Sequence, residues 1–260
     1  MSAAALPARI LIRADAGPEL GGGHIMRCLA LAASLKTHGA SIAFACAPGS
    51  GDLVPALSRS GFAVMTARSA ADFDLPPAWN GRADAILVDL YASTQADESR
   101  MRLIAPVIAV LEDLPDRPHD CDLLGDQGFD RQPSDYADRV PPGTTLLLGA
   151  DMAPLRPDFA RLRTASLARR QASPGLARLM VSMGMTDVGG ISAQIVSLAR
   201  ASLPGITTAW PTASWPPIWR SVPAAAAPWS AAFSVFQALS SCWRKTSGRR
   251  PGPWPQPVQP

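Results

Sequence analysis

The chain has 260 residues, 47% of them hydrophobic, which suits a globular protein with one large core or two smaller ones. Its net charge of +3 is set by five bases beyond residue 200, where no acid occurs; residues 1–200 hold 19 bases against 21 acids, which excludes a basic nucleic-acid-binding body. Four scattered cysteines (Cys28, Cys46, Cys121, Cys242) without a C-x-x-C pair exclude a zinc cluster or a disulfide framework.

Arg9 and Arg13 interrupt any apolar run near the N-terminus, so no secretory leader is expected. No stretch of about 18 uncharged apolar residues is present, so no membrane insertion is expected either. A cytoplasmic location with reduced thiols follows as the expectation.

Residues 8–14 read as a buried strand, followed by a glycine-rich turn at 17–23. A helix is expected from His24 to His38, because Ile25, Leu29, Ala32, Ala33 and Leu35 recur at helical spacing and Gly39 supplies a stop. Strands are expected at 41–46, 62–65, 84–89 and 107–111, with a short helix at 53–57 and another at 94–104. This alternation predicts a parallel sheet covered on both faces. After Asp113 the chain is turn-rich as far as a strand at 145–148. A linker helix at 156–171 precedes a second unit: strand 177–183, turn 184–190, helix 191–200.

The expected organisation is an α/β chain. Residues 1–150 form a Rossmann-like domain, 151–175 a linker and 176–203 the start of a second Rossmann-like domain. Residues 204–260 form an aberrant tail. That tail holds six of the seven tryptophans, many prolines and no acid. A natural proline-rich segment is one explanation, but disorder normally depletes aromatics. A frameshift in a GC-rich gene, truncating the second domain after about residue 203, is the preferred one.

Chemistry concentrates where strands end. Arg13-x-Asp15 and Gly21-Gly22-Gly23-His24 lie where the first strand feeds the first helix. Glycines there let the backbone approach a diphosphate, and the helix N-terminus offers free N–H groups. A histidine in that positive potential is disfavoured as a cation and poised as a base, although a solvated histidine would fit the pattern too. Asp89, with Tyr91 behind it, faces the same crevice, or else caps a turn. Glu112-Asp113 and His119-x-Cys121-Asp122 lack a zinc spacing and read as a surface loop. The turn Ser182-Met183-Gly184-Met185-Thr186-Asp187 presents backbone N–H groups and a hydroxyl suited to a phosphate.

Taken in order, Arg13-Ala-Asp15, Gly21-Gly22-Gly23-His24-Ile-Met-Arg27, Val88-Asp89-Leu-Tyr91, Glu112-Asp113, His119-x-Cys121-Asp122, Leu155-Arg156-Pro157-x-Phe159 and Ser182-Met-Gly184-Met-Thr186-Asp187 resemble one family. It is the UDP-2,4-diacetamido-2,4,6-trideoxy-β-L-altropyranose hydrolase family of pseudaminic acid biosynthesis, and the resemblance spans roughly residues 8–200. It implies two Rossmann-like domains of glycosyltransferase B type. It also implies cleavage of UDP from the sugar with inversion, without cofactor or metal, by a monomer whose partners are the UDP-sugar and water. The resemblance places the catalytic histidine at His24, with Asp15 and Asp89 beside it. Arg13, Gly22, Gly23, Tyr91, Gly184, Thr186 and Asp187 are the expected substrate contacts. Leu90 and Met185 stand where the family commonly has histidine and glycine. The competing readings are a UDP-sugar glycosyltransferase of the same architecture and an inactive, truncated nucleotide-sugar-binding remnant.

Overall fold

The computed structural model describes residues 7–182, 184–187, 189–203 and 205–209. Seven strands form one parallel sheet: β1 (Arg9–Ala14), β2 (Ser41–Cys46), β3 (Ala63–Thr66), β4 (Ala85–Asp89), β5 (Ile108–Glu112), β6 (Leu123–Asp126) and β7 (Thr145–Leu148). Their spatial order is β3-β2-β1-β4-β5-β6-β7, and each neighbouring pair is parallel. Every residue of β4 and β5 is buried. Runs such as Ile86-Leu87-Val88 are apolar on both faces, as a sheet covered on both sides requires.

Successive side chains leave a strand on opposite faces, so the sheet has two cores. On one side Ile10, Ile12, Phe44, Leu87 and Ala109 pack with Ile25, Cys28, Leu31 and Leu35. Those last four belong to α1 (Gly23–Thr37), the helix that follows β1. On the other side Leu11, Ile86, Val88, Val110, Leu124, Trp79 and Tyr136 pack with Met101 of α4 (Gln95–Met101). Thr94 starts α4 with a capping box, its hydroxyl accepting from Asp97 N while the Asp97 carboxylate accepts from Thr94 N.

The sheet order reverses direction between β1 and β4. The chain leaves β1 toward β2 on one side and returns through β4 on the other, which opens a crevice at the carboxyl ends of these two strands. The register pairs Ala14 with Asp89 across that opening.

Three local expectations are corrected. The short helix at 53–57 is two helices, α2 (Ser50–Leu53) and α3 (Pro55–Ser58), because Pro55 has no N–H to continue the first and starts the second. The helix expected over 94–104 stops at Met101. The turn-rich region after Asp113 contains β6, a buried four-residue strand whose Gly125 and Asp126 masked its apolar signal. Cys28, Cys46 and Cys121 are free and buried; Cys242 lies outside the described residues.

Beyond β7 come α5 (Pro157–Ala172), which buries no side chain, then β8 (Arg178–Met180), α6 (Ile191–Ser202) and β9 (Thr207–Ala209). β8 and β9 are parallel, so residues 178–209 repeat the strand–helix–strand unit. β9 falls inside the stretch read as tail, and residues 210–260 lie outside the described ones.

Leu87 is fully buried at the centre of β4. Leu87→Ala is expected to cost about 2–5 kcal/mol, read as a lower denaturation midpoint in urea at unchanged slope.

Candidate active site

The turn that leads from β1 into α1 is closed by its own backbone. Gly17 N donates to Gly21 O at 3.1 Å and Gly21 N to Gly17 O at 2.7 Å. Gly21 has φ +74°, a conformation that favours glycine. Gly22 caps α1 without a side chain, and the first turn of the helix holds no acid, so its N–H groups remain available to an anion.

His24 is the second residue of α1 and points at the end of β4. Asp89 there is wholly buried. Its Oδ1 lies 2.5 Å from His24 Nδ1. The same carboxylate takes two bonds from Arg27, Nε to Oδ2 and Nη2 to Oδ1, both at 2.6 Å. The Cys28 thiol donates to Oδ2 at 3.3 Å. His24 and Arg27 are three residues apart and therefore share a helix face. Burial works to raise the Asp89 pKa, but the Arg27 and His24 hydrogen bonds outweigh it and hold the carboxyl below its ordinary value. The same burial pushes the Cys28 thiol well up, which leaves it a neutral donor.

An ionised carboxylate only accepts hydrogen bonds, so His24 Nδ1 must carry the hydrogen. The lone pair of a neutral ring is then on Nε2. The Tyr91 ring stands edge-on to the imidazole at 4.6 Å. Its hydroxyl donates to Asp113 Oδ2 at 3.0 Å, and Asp113 also receives Arg27 Nη1 at 3.3 Å. Burial and the Asp113 bond push the Tyr91 hydroxyl up to about 12. His24, Asp89, Arg27, Asp113 and Tyr91 thus form one connected group at the crevice. Arg27 stood in the sequence motif without a role; its place three residues after His24 was the signal for it.

Arg13 and Asp15 hold each other instead. Arg13 Nη1 and Nη2 reach the Asp15 carboxylate at 2.5 and 2.9 Å. The remaining Arg13 donors meet the carbonyls of Ala45, Ser69 and Ala70. Asp15 accepts from Ala47 N at 2.6 Å. The pair fixes the loops after β2 and β3 to the end of β1, and no hydrogen bond among the described residues joins Asp15 to His24.

The turn at 184–187 lies against the glycine-rich turn. A Cβ at Gly22 would collide with Met185 Sδ and stand 2.8 Å from Val54 Cγ2, and one at Gly21 would be 3.9 Å from Thr186 Oγ1. Gly23 has open space around it. Gly184 has φ +87°, and Asp187 Oδ1 accepts from Ser192 N at the start of α6.

The reading of residues 112–122 as a surface loop is overturned. Glu112, His119 and Cys121 are buried, as is Glu98 of α4. His119 Nδ1 lies 2.9 Å from Glu98 Oε1, and Nε2 lies 3.5 Å from Glu112 Oε2. Burial alone would lower the His119 pKa, but Glu112 and Glu98 together pull it up to about 9. Ion-pairing partners separated in sequence, not local polarity, decide where such residues go.

Among the described residues no group of three or more His, Cys, Asp or Glu side chains is placed to hold a metal ion. No described helix is long and apolar enough to cross a membrane.

His119 gives stability a definite pH dependence. Its folded pKa of about 9 exceeds the ordinary 6.5, so its contribution is complete below pH 6.5 and is lost as pH rises through 9. The loss is on the order of 3 kcal/mol. Urea unfolding at pH 6 and pH 9.5 is expected to show it, and His119→Gln is expected to remove most of the difference.

No family model matches the chain. The chain is 26% identical over 209 residues to the UDP-2,4-diacetamido-2,4,6-trideoxy-β-L-altropyranose hydrolase of Campylobacter jejuni, covering 77% of this chain and 69% of that protein. That relative carries the name of the family whose motifs the sequence resembles. The crystal structure of MurG from Acinetobacter baumannii covers 93% of this chain and 95% of its own at 12% identity, with a TM-score of 0.30, which carries no argument.

Proposed function

We propose that this chain hydrolyses a UDP-linked 2,4-diacetamido-2,4,6-trideoxy hexose, releasing UDP with inversion at the anomeric carbon. The observation that carries the proposal is the His24–Asp89 pair, with Asp89 buried and His24 Nδ1 within 2.5 Å of it, beside the open N-terminus of α1. A base and an anion-binding helix end stand within one turn of each other at the point where the sheet reverses.

In the reaction, Nε2 of neutral His24 takes a proton from water as the water oxygen attacks the anomeric carbon. The bond from that carbon to the β-phosphate oxygen breaks, and its electron pair leaves on UDP. Attack from the face opposite the leaving group gives inversion. UDP is stable as an anion, so the leaving oxygen needs no protonation and one base suffices. Asp89 keeps the ring in the required tautomer and offsets the charge that the ring gains. Arg27 keeps Asp89 ionised in a site where burial opposes it.

The diphosphate is assigned to the N–H groups around Gly22 and Gly23 and to the turn Gly184, Thr186 and Asp187. Tyr91, half-exposed beside the imidazole, is assigned to the sugar. Arg13 and Asp15 act by holding the loops that border the crevice.

His24→Ala is expected to lower UDP release by about 10²–10⁴-fold, while UDP still raises the unfolding midpoint as in the unaltered chain. Asp89→Asn is expected to lose turnover comparably, because an amide side chain can favour the wrong imidazole tautomer. NMR of the first-formed sugar is expected to give the anomer of opposite configuration. Unchanged turnover in His24→Ala refutes the assignment.

A further inference from the structure

The buried charges around His119 form a chain that ends on the backbone of the candidate site. His119 is held by Glu98 of α4 on one side and Glu112, the last residue of β5, on the other. Its backbone is fixed as well: His119 N donates to Arg139 O at 2.7 Å, and Asp120 N to Glu98 Oε2 at 2.7 Å. Glu112 divides its two oxygens. Oε1 accepts from Asp113 N at 2.9 Å and Leu114 N at 3.1 Å. Oε2 faces His119 and pairs with Arg117 Nη2 at 2.5 Å.

Each oxygen leads to the site. The backbone bonds at Oε1 place Asp113, whose carboxylate receives Arg27 and Tyr91. Arg117 Nη2 also donates to Leu90 O at 3.3 Å, and Leu90 stands between Asp89 and Tyr91. The other charges nearby have partners of their own. Asp120 and Asp122 pair with Arg102, and beyond Glu112 Asp126 pairs with Arg131 and accepts from Tyr136. Stability does not explain so many buried ions, since apolar replacements of a buried ion pair are often as stable or more so.

We infer that His119 is a positioning residue for the His24–Asp89 pair: it neutralises and fixes the Glu112 carboxylate, which holds Asp113 directly and the Leu90 carbonyl through Arg117. With His119 deprotonated, two buried carboxylates face one another across a neutral ring, and Glu112 loses one of the two cations that face its Oε2, the other being Arg117. Both arms then relax together. The kinetic part of this inference rests on the hydrolase reading; the structural part does not.

The test uses the full chain labelled with 15N-histidine, its ring signals assigned through His24→Gln, His38→Gln and His119→Gln. As pH is raised, His119 is expected to titrate near 9, and the His24 ring signals are expected to show an inflection at that same pH. Arg117→Met cuts the Leu90 arm and removes one cation from Glu112, which keeps His119 and the N–H groups of Asp113 and Leu114, so it serves even where His119→Gln does not fold. In Arg117→Met the His24 inflection is expected to shrink by half or more. The kcat for UDP release is expected to fall about tenfold, with KM changed less than threefold. A His24 signal blind to His119 titration overturns the inference, and so does Arg117→Met with an undiminished inflection. Absence of UDP release from the unaltered chain refutes the hydrolase reading alone, because the NMR coupling is then still read.

Discussion

The structure turns on keeping one carboxylate charged where water does not reach. Asp89 ends the fully buried strand β4 with no exposure of its own. An unpaired charge in that position would cost several kcal/mol. Arg27 meets it with two hydrogen bonds, and His24 and Cys28 complete its shell. All three come from the first two turns of α1, so the helix must begin directly over the end of β4. The parallel register of Ala14 with Asp89 and the tight glycine turn after β1 put it there.

The same arrangement recurs along the carboxyl edge of the sheet. β4, β5 and β6 end in Asp89, Glu112 and Asp126, each essentially without exposure. Each pairs with an arginine from outside its strand: Arg27, Arg117 and Arg131 respectively. Glu112 and Asp126 are register neighbours. Two like charges side by side in a buried edge would repel without these partners. Arg131 also donates to Asp113 O, so the third pair braces the rim that carries Tyr91's partner.

The glycine turn owes its composition to contact as much as to conformation. Gly21 needs its positive φ, whereas Gly22 is kept bare by what lies against it. Val54 comes from the junction of α2 and α3, and Met185 from the turn after β8. The two strand–helix turns therefore meet closely at this place. Arg13 and Asp15 tie the neighbouring loops from the other side and take no part in the hydrogen bonds of the pair on α1 and β4.

Much of this could be read from the chain itself. Apolar runs long enough for both-face burial gave β1, β2, β4 and β5, and helical spacing gave α1, because these signals lie within one element. His24 and Asp89 were legible as candidates because residues just after a parallel strand must face the carboxyl edge. β6 was not legible, since Gly125 and Asp126 occupy half of a four-residue strand. The parts played by Arg27, Asp113, Glu98 and His119 were settled only by the tertiary structure. A charged side chain is buried or exposed according to its ion partner, and these partners lie 7 to 86 positions apart in sequence. The sequence determined which residues could do chemistry; the stacking of β4 and β5 beside β1 decided which of them stand together.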